Sequence, residues 1–202
     1  MVHEGLWRQL TGLDRQKTSQ RAKCQYFSTP EHYVVTLLNT EYVVNLADKE
    51  IFSVRQDSPP APAEFAEQLC ILAYLINARE RPVANKLVGA EALEGGQFFF
   101  RGRHSLPTRK LEKAFSQRPE QLYQVAQEFH AKQCQFGDAS IELYVLPRIP
   151  LTMIIWGQCD EFPARASILF DQTAAAHLPL DALLAAVNLA VEAVVRSVGK
   201  GS

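Results

Sequence analysis

Three short runs rich in β-branched and aromatic residues constrain the fold of this chain most. They occupy residues 33–38, 41–46 and 51–54, and only short polar turns separate them. Such residues favour strands, and brief connections join neighbouring antiparallel strands. We therefore predict a three-stranded antiparallel β-meander. The proline-rich segment 58–62 is predicted to be a linker or helix lead-in, because proline lacks an amide donor and has a fixed φ.

Helices and a second batch of strands follow the meander. A wide apolar stripe over 64–78 predicts a buried central helix, and 180–198 is predicted to be a C-terminal helix. Alternation over 139–146 and the apolar run 151–156 predict a strand pair. Weaker patterns predict short strands at 86–89 and 96–100, and helices at 107–115 and 119–134. This order favours an α+β fold, in which a β-meander and a second strand pair pack on the central and C-terminal helices.

The chain length favours one globular domain. The 202 residues, 47% of them hydrophobic, can bury one substantial core. We expect that domain to cover residues 1–198. The last four residues, 199–202, are expected to be a disordered or vector-derived tail.

Charge and cysteine spacing exclude several function classes. The 21 basic and 22 acidic residues leave a formal charge of −1, so the chain lacks the overall positive charge that attracts nucleic acid. We find neither a signal-peptide pattern nor an apolar run long enough for a membrane span. The four cysteines form no C-x-x-C pair, so we expect reduced thiols, mostly buried, in a cytoplasmic protein.

The densest group of reactive side chains follows an apolar run that ends at Trp156. The group comprises Cys159, Asp160, Glu161, Arg165, Asp171 and His177. It is consistent with a binding or catalytic site, because clustered ionisable residues often mark one. It is also consistent with a polar turn. In that turn Asp160 would accept amide hydrogen bonds, Glu161 would pair with Arg165, and Phe162 would anchor the loop on the core.

Two weaker candidates lie upstream of that group. His130 and Cys134 are four residues apart on a predicted helix, a spacing that supplies two ligands of a metal site but not the rest. A basic run follows three phenylalanines and is typical of either a solvated edge or an anion site. Its members are Arg101, Arg103, His104, Arg109 and Lys110.

The C-terminal third also carries a family resemblance. The residues that carry it are Leu146 to Leu151, Trp156-Gly157, Asp160 to Ala164, Ile168 to Asp171 and His177 to Pro179, with weaker matches at Leu69 to Leu75 and Gly95 to Phe100. Together they resemble the bacterial and archaeal family of domains of unknown function numbered 3786. The resemblance implies no activity, and it implies an association with anaerobic redox or corrinoid (one-carbon) metabolism.

The leading hypothesis is a module that binds a small molecule or a redox or corrinoid protein partner, with no nucleic acid and no membrane. The expected ligand-binding residues are Arg148, Trp156, Asp160, Glu161, Arg165 and Asp171. No catalytic residue, metal or cofactor is assigned. One alternative is a metal-assisted hydrolase or transferase that uses Asp160, Glu161, Asp171 and His177. Another is a tetrapyrrole-binding protein that uses His130, His177 or a cysteine thiolate.

Overall fold

The computed structural model describes residues 3–55 and 58–198, and these residues form eight α-helices and ten β-strands. The helices are α1 (Glu4–Thr11), α2 (Arg15–Ala22), α3 (Phe65–Asn77), α4 (Gly96–Phe99), α5 (Thr108–Phe115), α6 (Gln121–Glu128), α7 (Ala174–His177) and α8 (Leu180–Val198). The strands are β1 (Gln25–Ser28), β2 (Glu31–Leu37), β3 (Thr40–Asn45), β4 (Glu50–Arg55), β5 (Ser58–Pro62), β6 (Leu87–Val88), β7 (Lys132–Cys134), β8 (Ala139–Leu146), β9 (Ile149–Trp156) and β10 (Arg165–Asp171). The predicted tail, 199–202, lies outside the described residues.

The first sheet has the antiparallel order β1-β2-β3-β4-β5, and the predicted meander is its centre, β2 to β4. The prediction for residues 58–62 was wrong, because this segment is β5. Phe52 pairs with Pro62, and Ser53 pairs with Ala61. β5 is an edge strand, where a missing amide donor removes no bond that the rest of the sheet needs.

The second sheet has the antiparallel order β6-β10-β9-β8-β7. The predicted pair, β8 and β9, forms and lies at its centre, with β10 on the other side of β9. Along β10 the side chains of Ala166, Ile168 and Phe170 are buried, while Ser167 and Leu169 are less so. This alternation is the two-residue period of a strand. The segment between Arg165 and Asp171, two of the expected ligand-binding residues, is thus a strand that contributes to the core.

Two local predictions were also wrong. Residues 96–100 do not form a strand, because Gly96–Phe99 is the short helix α4. The helix predicted over 119–134 ends at Glu128, and β7 follows. Between them His130 has a left-handed backbone with φ of 49°. His130 and Cys134 therefore do not share a helical face, and the basis for pairing them as metal ligands is gone.

The helices α3 and α8 pack against each other in the middle of the molecule. α3 also contacts α1, α2 and β2, and α8 contacts α5, α6 and β8. The β2–β3 turn meets the second sheet, where the Leu38 amide donates to the Val145 carbonyl at 3.1 Å. The fold is thus α+β, as predicted. None of the described helices combines the length and the apolarity that a membrane span requires.

Candidate functional site

The six expected ligand-binding residues lie at two opposite ends of the second sheet. Arg165 pairs with Trp156 at one end of the β9–β10 ladder, and Phe170 pairs with Leu151 near the other. Asp171 is therefore roughly 20 Å along the strand from Arg165, at about 3.3 Å per residue. Arg148 lies in the β8–β9 turn at the Asp171 end. Neighbours in the sequence are separated here because a strand runs between them.

A cleft of about 870 Å³ opens at the Trp156 end. Its walls come from the α5–α6 connection, from Asp138 before β8, and from the β9–β10 connection. The apolar lining consists of Pro119, Trp156, Phe162, Pro163 and Ala164. The polar lining consists of Ser116, Gln117, Glu120, Asp138, Gln158 and Arg165, and Gly157 and Cys159 complete it. Apolar walls with a few polar groups are typical of small-molecule sites, and the volume lies in their usual range.

Hydrogen bonds donated by backbone amides hold the three segments of the cleft together. The Gln158 amide donates to the Ser116 carbonyl at 2.9 Å, and the Asp138 amide donates to the Ile155 carbonyl at 2.9 Å. The Gly157 amide donates to the Asp138 carboxylate at 2.8 Å. The cleft is therefore built into the chain and does not require a ligand to bring its walls together.

Arg165 and Trp156 form one face of this cleft. The guanidinium carbon lies 4.4 Å from the centre of the indole ring, which is a cation–π contact. The ion pair between Arg165 and Glu161 that the polar-turn interpretation required is absent from the described residues. Arg165 is exposed, and its guanidinium keeps hydrogen-bond donors for an anionic group.

Asp160 and Glu161 form the tip of the loop beside the cleft. The Cys159 amide donates to the Phe162 carbonyl at 2.9 Å, which closes a turn with the two carboxylates in the middle. Both are exposed, and neither lines the cleft. Phe162 does not anchor the loop on the core, as the polar-turn interpretation expected, because it is 67% exposed. Cys159, unlike the buried Cys70, is an exposed thiol on the cleft.

Gly137 is the residue that lets the chain pass beneath Trp156. Its φ is +58°, and a Cβ would lie 2.7 Å from the Ile155 carbonyl oxygen. We expect Gly137→Ala to lower the free energy of unfolding by about 2 kcal/mol, because both the backbone and the contact become strained. Urea denaturation measures this. Gly5→Ala is the matched control: Gly5 lies in α1 with open space around it, so alanine should stabilise the protein by about 0.5–1 kcal/mol. Equal stability of the Gly137 variant and the parent would contradict the argument.

Asp171 at the other end of the sheet is fully engaged in hydrogen bonds. Its Oδ1 accepts from the Thr173 hydroxyl at 2.6 Å, the Thr173 amide at 2.9 Å and the Ala84 amide at 3.0 Å. Its Oδ2 accepts from the Lys86 amide at 3.3 Å. Burial alone would raise the pKa of Asp171, but these hydrogen bonds outweigh it and lower the pKa below 3.8. Asp171 thus ties the 84–86 segment to the end of β10.

Arg148 and His177 lie in the same interior region. Arg148 is buried and donates to the Arg21 carbonyl at 2.6 Å and to the Arg81 carbonyl at 3.0 Å. The Nδ1 atom of His177 accepts from the Arg79 amide at 3.3 Å. Burial lowers the pKa of His177 to about 4, and Arg148 and Arg81 add to the effect, so the ring is neutral near pH 7. These contacts join α2, the 79–81 segment, the β8–β9 turn and α7.

The proposed metal-assisted centre is not assembled. Asp160 and Glu161 lie at the cleft end of β10, and Asp171 and His177 lie at the other end. Among residues 3–55 and 58–198, no three His, Cys, Asp or Glu side chains are placed to hold one metal ion. Of the groups suggested for a tetrapyrrole, His177 is buried, His130 lies outside the cleft lining, and only Cys159 lines the cleft.

Sequence reasoning missed the part of the cleft that comes from distant segments. Ser116 to Glu120 and Asp138 were not expected near Trp156. One local signal was available, since Gly137-Asp138 before a predicted strand is typical of a turn that needs a positive φ. The proximity of 116–120 had no local signal, because it depends on how α5 packs against β9 and β10.

Comparison with known protein families gives a match over most of the chain. A family model described as a domain of unknown function (DUF3786) matches residues 14–193. Searches of curated proteins and of solved structures found no match. The family match covers α2 to most of α8, and thus includes both the cleft and the interior polar network.

Proposed function

Since the chain belongs to the DUF3786 family of domains of unknown function, we propose a function from the geometry of its own cleft. We propose that the protein is a cytoplasmic module that binds a small molecule with an apolar, partly planar body and an anionic group. The observation that carries this proposal is the prebuilt cleft of about 870 Å³ with Arg165 stacked on Trp156. The apolar body would lie against the aromatic and proline walls, and Arg165 would bind the anion.

The residues of the cleft have different roles in this proposal. Trp156 and Phe162 offer apolar surface that remains accessible in the free protein. Arg165 supplies the positive charge, while Glu120 and Asp138 disfavour a second anionic group nearby. Asp160 and Glu161 lie at the loop tip and would act only on a ligand that extends out of the cleft. Arg148 and Asp171 would act indirectly, by holding the far end of the sheet.

Ligand binding can be followed by tryptophan fluorescence. The chain has two tryptophans, of which Trp7 is 1% exposed and Trp156 is half-buried in the cleft. The probes are aromatic carboxylates that do not absorb or emit where tryptophan does, such as phenylacetate, and the matching uncharged amides. Cobalamin, followed by its own visible absorption, tests the corrinoid association that the family resemblance implies. We expect the carboxylates to shift the emission of Trp156 and the amides to do so more weakly.

Two variants and one control test which residues are responsible. Arg165→Gln should weaken carboxylate binding about tenfold and remove the preference over the amide, because the charge-assisted hydrogen bond is lost. Phe162→Ala should weaken both ligands alike. Phe65→Ala is the matched control, since Phe65 is 65% exposed on α3 and does not line the cleft. Binding that survives both cleft variants unchanged, or no binding to any probe, would refute this ligand class.

A further inference from the structure

A second surface is formed by residues 96–109, which run from α4 into the first turn of α5 and which we call the aromatic–basic loop. Its backbone is ordered by local hydrogen bonds: the Phe99 amide donates to Gly95, the Arg101 amide to Phe99, and the His104 amide to Arg101. Gly95 has a φ of +74°, which turns the chain into α4. The backbone of the loop therefore has a defined course.

The three consecutive phenylalanines of the loop have three different environments. Phe100 packs on Phe170 of β10, with ring centres 6.0 Å apart. Phe99 stacks on His104 at 4.6 Å with an interplanar angle of 11°. Phe98 is 75% exposed. Phe100 anchors the loop on β10, Phe99 packs within the loop, and Phe98 is presented to solvent, where an apolar ring is unfavourable.

The loop also carries positive charges without negative ones. Residues 95–111 contain Arg101, Arg103, Arg109 and Lys110 and no carboxylate. Lys110 pairs with Glu192 at 2.7 Å. Within the described residues the other three cations form neither an ion pair nor a side-chain hydrogen bond, and all three are exposed. Their positive charge is thus left for a partner.

We propose that the aromatic–basic loop docks the protein on an acidic surface of a protein partner. Phe98 would enter an apolar depression, while Arg101, Arg103 and Arg109 would bind surrounding carboxylates. Arginine and aromatic residues are the side chains that most often dominate binding energy at protein interfaces. Charge complementarity of this kind also accelerates the encounter.

A compact acidic patch fits this loop better than nucleic acid or a membrane does. The net charge of the chain is −1, so the cations of the loop form a local patch. They do not give the protein the overall positive charge that favours binding along a phosphate backbone. One exposed phenylalanine provides no series of rings on which successive bases could stack. The loop also has no amphipathic helix of the length that lies in a lipid interface, since α4 has four residues.

Docking through this loop is compatible with an open cleft. The last six residues of α5, 110–115, separate the loop from Ser116 in the cleft wall. At 1.5 Å per residue the distance along the helix is about 10 Å. The inference does not depend on the proposed ligand, and its experiment contains no cleft ligand.

Synthetic peptides test the proposal on the whole chain. One peptide has glutamates flanking two leucines, and its partner has serines in place of the leucines. We expect binding of both peptides at low salt, tighter for the leucine peptide. Arg101→Glu with Arg103→Glu should weaken both about tenfold or more, and Phe98→Ser should remove only the advantage of the leucine peptide. Fluorescence anisotropy measures the affinities.

The control reverses two exposed cations elsewhere, Arg8→Glu with Lys17→Glu, which changes the net charge equally. Circular dichroism verifies that every variant is folded. Equal weakening by the control pair would show that net charge alone acts, and would overturn the proposal. It would also be overturned if neither peptide bound, if leucine gave no advantage, or if oligothymidylate or phosphatidylglycerol vesicles bound more tightly through the same residues.

Discussion

Replacing Asp171 by alanine is expected to lower the free energy of unfolding by about 3 kcal/mol, because two buried donors of Thr173 lose their acceptor. The amides of Ala84 and Lys86 lose theirs as well, although both residues are exposed enough to reach water. Asp171 itself is 2% exposed, so water does not replace its carboxylate without rearrangement. Urea denaturation followed by circular dichroism measures the loss.

A conservative variant separates the hydrogen bonds from the charge. Asp171→Asn keeps one side-chain oxygen in the place of Oδ1, which accepts three of the four bonds, so it should lose much less stability than the alanine variant. Asp160→Ala removes a carboxylate from the exposed loop tip and should change stability by less than about 0.5 kcal/mol. If the alanine variants at 160 and 171 were equally stable, Asp171 would not be the structural tie that its contacts indicate.

The regular elements that local periodicity specifies were predicted well. The meander β2–β4, the helices α3 and α8, and the pair β8–β9 all have patterns that repeat over several residues and agree with their burial. Tyr33, Val35 and Leu37 of β2 show the two-residue period directly, since all three are buried. In such segments the local preference and the tertiary environment favour the same structure.

The remaining elements depend on neighbours that a local pattern does not contain. β5 exists because the edge of β4 accepts a proline-rich partner, although proline by itself disfavours a strand. Residues 96–99 form α4 although the phenylalanines of 96–100 favour a strand, because Phe100 packs on Phe170 while Gly95 turns the chain. Tertiary contacts override propensity in both places.

The candidate site also depends on tertiary contacts that a local sequence pattern does not contain. Sequence analysis placed Trp156 and Arg165 in one group, and the antiparallel pairing of β9 with β10 makes them neighbours. It also grouped Asp171 with them, because six residues look close in a sequence. Along an extended strand those six residues cover roughly 20 Å. Asp171 instead meets Ala84 and Lys86, a contact that only the folded chain creates.

We expect the stability of this protein to depend on the protonation of His177, which lies in α7 near the Asp171 end of the second sheet. The ring is 0% exposed, and its Nδ1 accepts from the Arg79 amide, so the neutral form carries its proton on Nε2. Burial lowers the pKa of His177 from 6.5 to about 4. Arg148, Arg81 and Arg79 add to this effect, and Asp171 opposes it. Protonation would place a cation in an interior that already holds buried Arg148.

The sign of the pH dependence follows from that lowered pKa. Between pH 6.5 and about 4 the unfolded chain binds the His177 proton and the folded chain does not, so stability falls as the pH is lowered through this window. The loss approaches about 3 kcal/mol at its acid end, from the size of the shift. Asp171 contributes in a separate window, because its pKa lies below 3.8 and its stabilisation is lost only at lower pH.

The test compares the parent with His177→Gln in urea denaturation at several pH values from 7 to 4. Glutamine can still accept from the Arg79 amide through its side-chain oxygen, but it does not titrate. We therefore expect its free energy of unfolding to fall less steeply with acid, so that the difference between the two proteins narrows or reverses near pH 4. His130→Gln is the control for removing one histidine, because His130 is exposed, and its pH series is compared with that of the parent. Identical slopes for the parent and the His177 variant would show that the buried ring does not create this pH dependence.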